Sequence, residues 1–127
     1  MMSILITGSA GFIGSELCIH LLSLGKKIVG VDNHNDYYDP RIKENRLARF
    51  LKHSNYRHLR IDLNNKKALE NVFEKYRPHK VVNLAAQAGV RYSLENPHAY
   101  LNSNVMGFLN VLEGCRNYKI KHLIYAS

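Results

Sequence analysis

Three glycines that directly follow a short apolar run constrain the fold of this chain more than any other feature. Residues 4–7 read Ile-Leu-Ile-Thr, and glycines stand at positions 8, 11 and 14. A helical pattern begins at Ile13, with leucines recurring on one face at positions 17, 21 and 24. A strand, a glycine-rich turn and a helix in this order are typical of a site for the pyrophosphate of a nucleotide.

Each part of this motif has its own physical task. Gly8 permits the tight turn, Gly11 lets the backbone approach phosphate oxygens, and Gly14 lets the helix pack closely on the strand. The first helical N–H groups, near Phe12 and Ile13, have no partner within the helix and attract an anion.

A carboxylate stands where such a site reads the ribose. A second apolar run, Lys27 to Val31, ends at Asp32, about 20 residues past the glycines, where an acid binds the adenosine ribose hydroxyls. A turn residue at a strand end is the alternative interpretation of Asp32.

Strands and helices alternate along the whole chain, which predicts a parallel sheet covered on both faces. The predicted strands are Ser3–Thr7, Lys27–Val31, Tyr56–Ile61, Val81–Ala86 and His122–Ala126. Between them we predict helices over Ile13–Leu24, over a basic segment Arg41–Lys52 opened by Asp39-Pro40, before Pro78, and from Pro97 to about Tyr118. Right-handed crossovers then give an α/β, Rossmann-like, doubly wound sheet of order 3-2-1-4-5, a single dinucleotide-binding domain over residues 1–127.

Composition narrows the class of partner. The formal net charge is +8, and much of it comes from a central run of basic residues: Arg41, Lys43, Arg46, Arg49, Lys52, Arg57 and Arg60. A solvated helix face is the first interpretation, and attraction of an acidic ligand such as a nucleotide is the second. Because no nucleic-acid recognition motif accompanies the charge, nucleic-acid binding is disfavoured.

No apolar run approaches the ~20 residues of a membrane span, and no histidine pair has metal-ligand spacing. We therefore expect no metal. Cys18 and Cys115 are expected to be unpaired thiols, which predicts a cytoplasmic protein.

The motifs occur together in a recognisable register. They are Thr7-Gly8-x-x-Gly11-Phe12-Ile13-Gly14, Val31-Asp32-Asn33, Asp62-Leu63, the run Leu84 to Ser93, Asn96-Pro97, Asn104-x-x-Gly107 and Tyr125-Ala126-Ser127. With them the chain resembles the extended short-chain dehydrogenase/reductase superfamily, in particular its NAD-dependent nucleotide-sugar epimerases and dehydratases. The middle run and Asn33-x-x-Asp36-Tyr37-Tyr38-Asp39 most resemble the UDP-glucuronate 4-epimerases of capsular-polysaccharide type.

The resemblance implies roles for particular residues. Asp32 would hold the adenosine ribose hydroxyls and so select NAD over NADP, Asn33 would also contact the cofactor, and Asp62 and Leu63 would frame the adenine. The residues that would line the cofactor elsewhere are Leu84, Ala85, Ala86, Gln87, Ala88, Ser103 and Asn104. Arg91 would bind a phosphate or carboxylate of the substrate, with a plain surface arginine as the alternative. For Asp62 a helix cap is the alternative, and for Ser103 and Asn104 a polar stripe.

The resemblance also implies what the chain lacks. These enzymes use a Ser or Thr after the fifth strand and a downstream Tyr-x-x-x-Lys pair, and they interconvert their sugars through a transient 4-keto intermediate with hydride transfer to and from NAD. The literal match, Tyr76 to Lys80, falls at the opposite end of the predicted sheet, so we expect this chain alone, ending at Ser127, to be inactive. A 4,6-dehydratase, a decarboxylase, another 4-epimerase or a non-catalytic NAD-binding module stay open as alternatives. The resemblance further implies a homodimer through the helix that begins at Pro97, and a UDP-sugar substrate.

Overall fold

Five parallel strands form one sheet. The computed structural model of the chain describes residues 2–34, 39–85 and 94–126, apart from the side chains at 40, 99, 100, 102 and 103. The strands are β1 (Ser3–Thr7), β2 (Lys27–Val31), β3 (Tyr56–Leu59), β4 (Lys80–Asn83) and β5 (His122–Tyr125). Their order is β3-β2-β1-β4-β5, all neighbours are parallel, and Leu5 at the centre pairs with Val29 on one side and Val81 on the other. The predicted fold class and strand order are confirmed.

The helices follow the predicted order with different bounds. They are α1 (Phe12–Ser23), α2 (Pro40–Ala48), α3 (Lys66–Tyr76), α4 (Pro97–Leu101), a π-helical turn (Asn102–Met106) and α5 (Gly107–Asn117). The segment from Pro97, predicted as one long helix, therefore changes its winding in the middle. In the described part of the chain no helix is both long and apolar enough to cross a bilayer.

Local chemistry accounts for where two helices begin. The Asp39 carboxylate accepts a hydrogen bond from the backbone N–H of Arg41, with Pro40 in the first turn, as predicted for α2. The capping alternative for Asp62 is wrong, because the side chain of Asn65 caps α3 by accepting from the N–H of Ala68. Asp62 instead accepts from the N–H of Asn64, which closes a turn three residues earlier.

Side chains alternate between two cores, one on each face of the sheet. Against α1 and α2 pack residues such as Ile4, Ile6, Ile28, Phe50 and Tyr56. On the other face, Leu5, Val29 and Val81 of the sheet pack against Phe73 of α3 and Val111 of α5. This double covering explains why the strands are apolar on both sides.

The buried faces of two helices differ from the sequence interpretation. Leu17 and Leu21 pack against the core as their spacing predicts, whereas Leu24 lies beyond the end of α1 and is exposed. The fully buried residues of the helix are Gly14, Ser15, Cys18 and Leu22. In the segment that begins at Pro97, where the helical pattern predicts that Val105, Phe108, Leu109 and Leu112 face the sheet, Val105, Leu109 and Leu112 are exposed, Phe108 is half-buried and Val111 is fully buried. Small residues decide this orientation, because a Cβ at Gly114 would lie 2.3 Å from the Phe73 ring. The helix packs closely only on its glycine side.

Candidate functional site

The carboxyl ends of β1 and β4 are joined by one threonine at the point where the strand order reverses. The Thr7 hydroxyl accepts hydrogen bonds from the N–H groups of Leu84 and Ala85, each at 3.2 Å, and donates to the Asn83 side-chain oxygen. Thr7 is fully buried. This arrangement fixes the floor of the crevice in which doubly wound sheets bind ligands.

The glycine-rich loop passes so close to neighbouring backbone that no side chain fits at Gly8 or Gly14. Gly8 has a φ of +74°, and a Cβ there would lie 2.8 Å from backbone atoms of Leu84 and Ala85. A Cβ at Gly14 would lie 2.0 Å from the carbonyl oxygen of Gly8. No side chain caps α1 at Gly11, so the first N–H groups of the helix face the crevice as an anion site.

Asp32 is a buried acid with three hydrogen-bond donors around it. Its Oδ2 accepts from the N–H of Ala10 at 3.1 Å, and its Oδ1 accepts from the N–H of His34 at 2.8 Å and from Lys43 Nζ at 2.9 Å. The side chains of Asp32 and Lys43 are only 2% and 13% exposed. Because an ionised carboxylate offers about four acceptor sites, one is left for a further donor.

These elements surround one cavity of about 550 Å³. Its walls comprise the loop, the ends of the strands and one side of α2, with these residues: Gly8, Gly11, Phe12, Ile13, Gly14, Val31, Asp32, Asn33, Ile42, Lys43, Arg46, Ile61, Asp62, Leu63, Leu84, Ala85 and Ala126. Phe12 and Ile13 are 70% and 66% exposed at its rim, so a bound molecule would cover apolar surface there.

The structure brings together eleven of the residues predicted for the cofactor. They are Gly8, Gly11, Phe12, Ile13, Gly14, Asp32, Asn33, Asp62, Leu63, Leu84 and Ala85. Ala86, Gln87, Ala88 and Arg91 lie outside the described residues, as does the side chain of Ser103. Asn104 is half-buried on the π-helical turn and lies outside the cavity wall that the described residues form.

Sequence reasoning missed the contribution of α2 to the cavity. Lys43 and Arg46 line it together with Ile42, and the Arg46 guanidinium lies 5.6 Å from the centre of the Phe12 ring. Arg41, in contrast, is exposed and paired with Asp39. The basic run therefore divides: part is solvated, and Lys43 and Arg46, which lie at i and i+3 on one side of α2, face the cavity. The same spacing continues at Arg49 and Lys52, so the sequence alone does not single out the pair.

A doubly wound sheet with a glycine loop at its switch point and a buried acid after the second strand defines a dinucleotide-binding domain of the Rossmann type. The chain belongs to the GDP-mannose 4,6 dehydratase family, whose model matches residues 5–127. This membership bears out the resemblance to nucleotide-sugar epimerases and dehydratases.

Curated relatives and solved structures narrow the comparison. Protein CapI of Staphylococcus aureus is 52% identical over 126 residues, which are 99% of this chain and 37% of CapI. UDP-glucuronate 4-epimerase of Thermodesulfobacterium geofontis is 47% identical over 97% of this chain and 38% of its own length. The crystal structure of Thermus thermophilus UDP-glucose 4-epimerase with NAD superimposes with a TM-score of 0.83 at 36% identity, covering 99% of this chain and 37% of that one. The chain thus spans well under half the length of the relatives it matches.

Proposed function

We propose that this chain provides the NAD-binding part of a nucleotide-sugar 4-epimerase whose substrate is UDP-glucuronate. The observation that carries the proposal is the meeting of the glycine loop and the buried Asp32 at one cavity. The relatives add support, since they include enzymes named UDP-glucuronate 4-epimerase and a UDP-glucose 4-epimerase with NAD.

The residues of the cavity fit NAD. The open N–H groups at the start of α1 suit the pyrophosphate, and Asp32 suits the ribose hydroxyls. Ile61 and Leu63 offer apolar surface for the adenine, with Asp62 between them at the rim. When bound, NAD supplies the acceptor and donor of a hydride, and these residues hold and orient it.

The choice of sugar rests on the relatives rather than on the cavity. Among the 4-epimerases named above, the UDP-glucuronate enzyme is the more identical in sequence. A 4,6-dehydratase is the competing proposal, because the family model carries that description. Arg91 stays our candidate for the substrate's acidic group.

We expect the 127-residue chain to bind NAD but to form no UDP-galacturonate from UDP-glucuronate. Tyr76 ends α3 and Lys80 begins β4, at the amino end of the strands and away from the cavity, so this Tyr-x-x-x-Lys match cannot serve the reaction. General acid–base groups of this kind are typically worth ~10²–10⁴-fold in rate. Calorimetric titration with NAD tests the binding. Chromatography after a long incubation with NAD and UDP-glucuronate tests for the product. Absence of NAD binding would remove the cofactor proposal, and product above a no-enzyme control would contradict the second part.

We also propose that the chain forms a homodimer through the exposed side of its last helical segment. Leu101, Val105, Leu109 and Leu112 repeat at helical spacing and are 40–52% exposed. Such a stripe is typical of a helix that packs against another surface. A second copy of the chain, with the same stripe, is the occupant we propose.

Replacing Leu109 with glutamate is expected to shift the chain from dimer to monomer in sedimentation velocity runs across a dilution series. A charge buried at the centre of the stripe is costly when it has no partner. Leu51→Glu is the matched control, because Leu51 is 45% exposed against 44% for Leu109 and follows α2 on another side of the molecule. A monomeric wild-type chain at high concentration would refute the dimer.

A further inference from the structure

A chain of buried polar groups crosses the apolar core between the sheet and helices α1 and α2. The Tyr56 hydroxyl donates to Ser9 Oγ at 3.1 Å and lies 2.7 Å from His58 Nδ1. The other nitrogen of that ring, His58 Nε2, lies 2.8 Å from His34 Nε2. Ser9 is fully buried, and Tyr56 is 6% exposed. A polar network at this depth specifies a single arrangement of the groups that it joins.

Gly30 makes room for this chain. A Cβ at Gly30 would lie 2.0 Å from the Tyr56 hydroxyl and 2.7 Å from Ser9 Oγ. The hydroxyl therefore passes over β2 at the one residue of that strand that has no side chain. The Tyr56 ring is held edge-on by Phe50, with ring centres 4.8 Å apart, so the hydroxyl has little freedom to turn away.

Both ends of the chain adjoin the cavity. Ser9 belongs to the glycine-rich loop, and the next residue, Ala10, donates its N–H to Asp32. At the other end, His34 donates its own N–H to Asp32 with a left-handed φ of +54°. The side-chain network and Asp32 together form a closed ring between the loop and the segment after β2.

Neutral imidazoles complete the chain. Burial lowers the pKa of His58 to about 4 and lowers that of His34 from its ordinary value, so at neutral pH each ring has one N–H and one lone pair. Each ring can therefore donate one hydrogen bond and accept one, so the Tyr56–His58 and His34–His58 contacts need no charged imidazole. His34 Nδ1 then ends the chain, buried and 3.2 Å from Glu44 Oε1 without hydrogen-bond geometry. The charged groups that face the two rings are Asp32, Lys43, Glu44 and Arg60.

We infer that Tyr56 and His58 are positioning residues for cofactor binding, which they serve without lining the cavity. Their hydrogen bonds hold Ser9 and His34, and through them the glycine-rich loop and the Asp32 carboxylate, in the mutual geometry that one dinucleotide can span. The inference rests on the proposed binding of NAD, because it assigns a purpose to the ring around that site.

Replacing Tyr56 with phenylalanine is expected to weaken NAD binding about tenfold, since it keeps the packed ring and removes one buried hydrogen-bonding group. Tyr118→Phe is the matched control: that hydroxyl donates to Glu74 at 2.9 Å on the other face of the sheet, and its ring stacks on Phe73. We expect the control to bind NAD as the wild type does. Calorimetric titration measures the affinity, and thermal unfolding verifies that both variants are folded.

A spectroscopic measurement on the cofactor-free chain separates positioning from plain stability. In ¹H–¹⁵N spectra, Tyr56→Phe is expected to shift the amides of Ala10 and His34, and Tyr118→Phe is expected to leave them in place. Ser9→Ala removes the other partner of the Tyr56–Ser9 bond, so the double variant should bind NAD no more weakly than Tyr56→Phe alone.

A folded Tyr56→Phe variant that binds NAD like the control, with unmoved Ala10 and His34 amides, would overturn the inference, and so would additive losses in the double variant. If the wild type itself binds no NAD, the proposed function fails, and the amide shifts alone decide whether Tyr56 holds the two segments together.

Discussion

Alanine in place of Gly8 is expected to lower the affinity for NAD about 10- to 100-fold, and the same substitution at Gly25 is expected to leave it unchanged. Overpacking costs typically ~1–3 kcal/mol, and a tenfold loss corresponds to ~1.4 kcal/mol. At Gly8 the new methyl group would meet the backbone of Leu84 and Ala85 at 2.8 Å. Neither backbone segment can yield without moving the crevice floor that Thr7 holds.

Gly25 is a matched control because its backbone carries the same kind of strain. Its φ of +79° is close to the +74° of Gly8, so alanine pays ~1–2 kcal/mol for the left-handed conformation at both positions. A Cβ at Gly25, however, meets nothing within 4 Å. Calorimetric titration with NAD, together with thermal unfolding of both variants, separates the steric contact from the strain. Equal NAD affinities in the two variants would show that the close contact of residue 8 with Leu84 and Ala85 does not shape the site.

The sheet could be predicted from the sequence because its signals are local and its connections obey a handedness rule. Most strands are short apolar runs next to a turn or helix signal, and right-handed crossovers then permit few strand orders. The buried sides of the helices could not be predicted as well. Val111 competes with Leu109 and Leu112 for the sheet, and the close approach at Gly114, which decides the outcome, exists only in the folded chain.

The same distinction holds at the site. The glycine loop and Asp32 belong to a motif with fixed spacing, so the sequence alone places them at one cavity. Lys43 reaches that cavity only because α2 folds back to the end of β2, where Lys43 contacts Asp32, and no local sequence pattern encodes this contact. The His34–His58 contact depends on the register of β2 against β3, which pairs His58 with Gly30. Gly30 was an available signal, since a glycine inside a strand often marks the close approach of another group.

Asp32 forms a buried ion pair with Lys43 at the cavity. We propose that Asp32 repels the 2′-phosphate of NADP and that Lys43, 2.9 Å from the carboxylate, offsets part of this repulsion. Asp32→Asn is then expected to relax the preference for NAD by about tenfold or more, because it leaves Lys43 without the opposing acid. The interaction between two charges ~4 Å apart amounts to roughly 4 kcal/mol near a protein surface.

Lys43→Met is expected to change the preference in the opposite direction, because it keeps an apolar stem of similar length and leaves the Asp32 charge unopposed. The ratio of the two dissociation constants, measured by titration with NAD and NADP, reports the preference even where both affinities fall.

Arg41→Met is the matched control, since Arg41 lies on the same helix and is exposed and paired with Asp39 rather than Asp32. Because it removes the same charge without facing the cavity, the control should keep the wild-type ratio. A ratio that moves equally in the Lys43 and Arg41 variants would indicate a general effect of net charge, and an unchanged ratio in Asp32→Asn would mean that the buried acid serves the loop rather than the ribose.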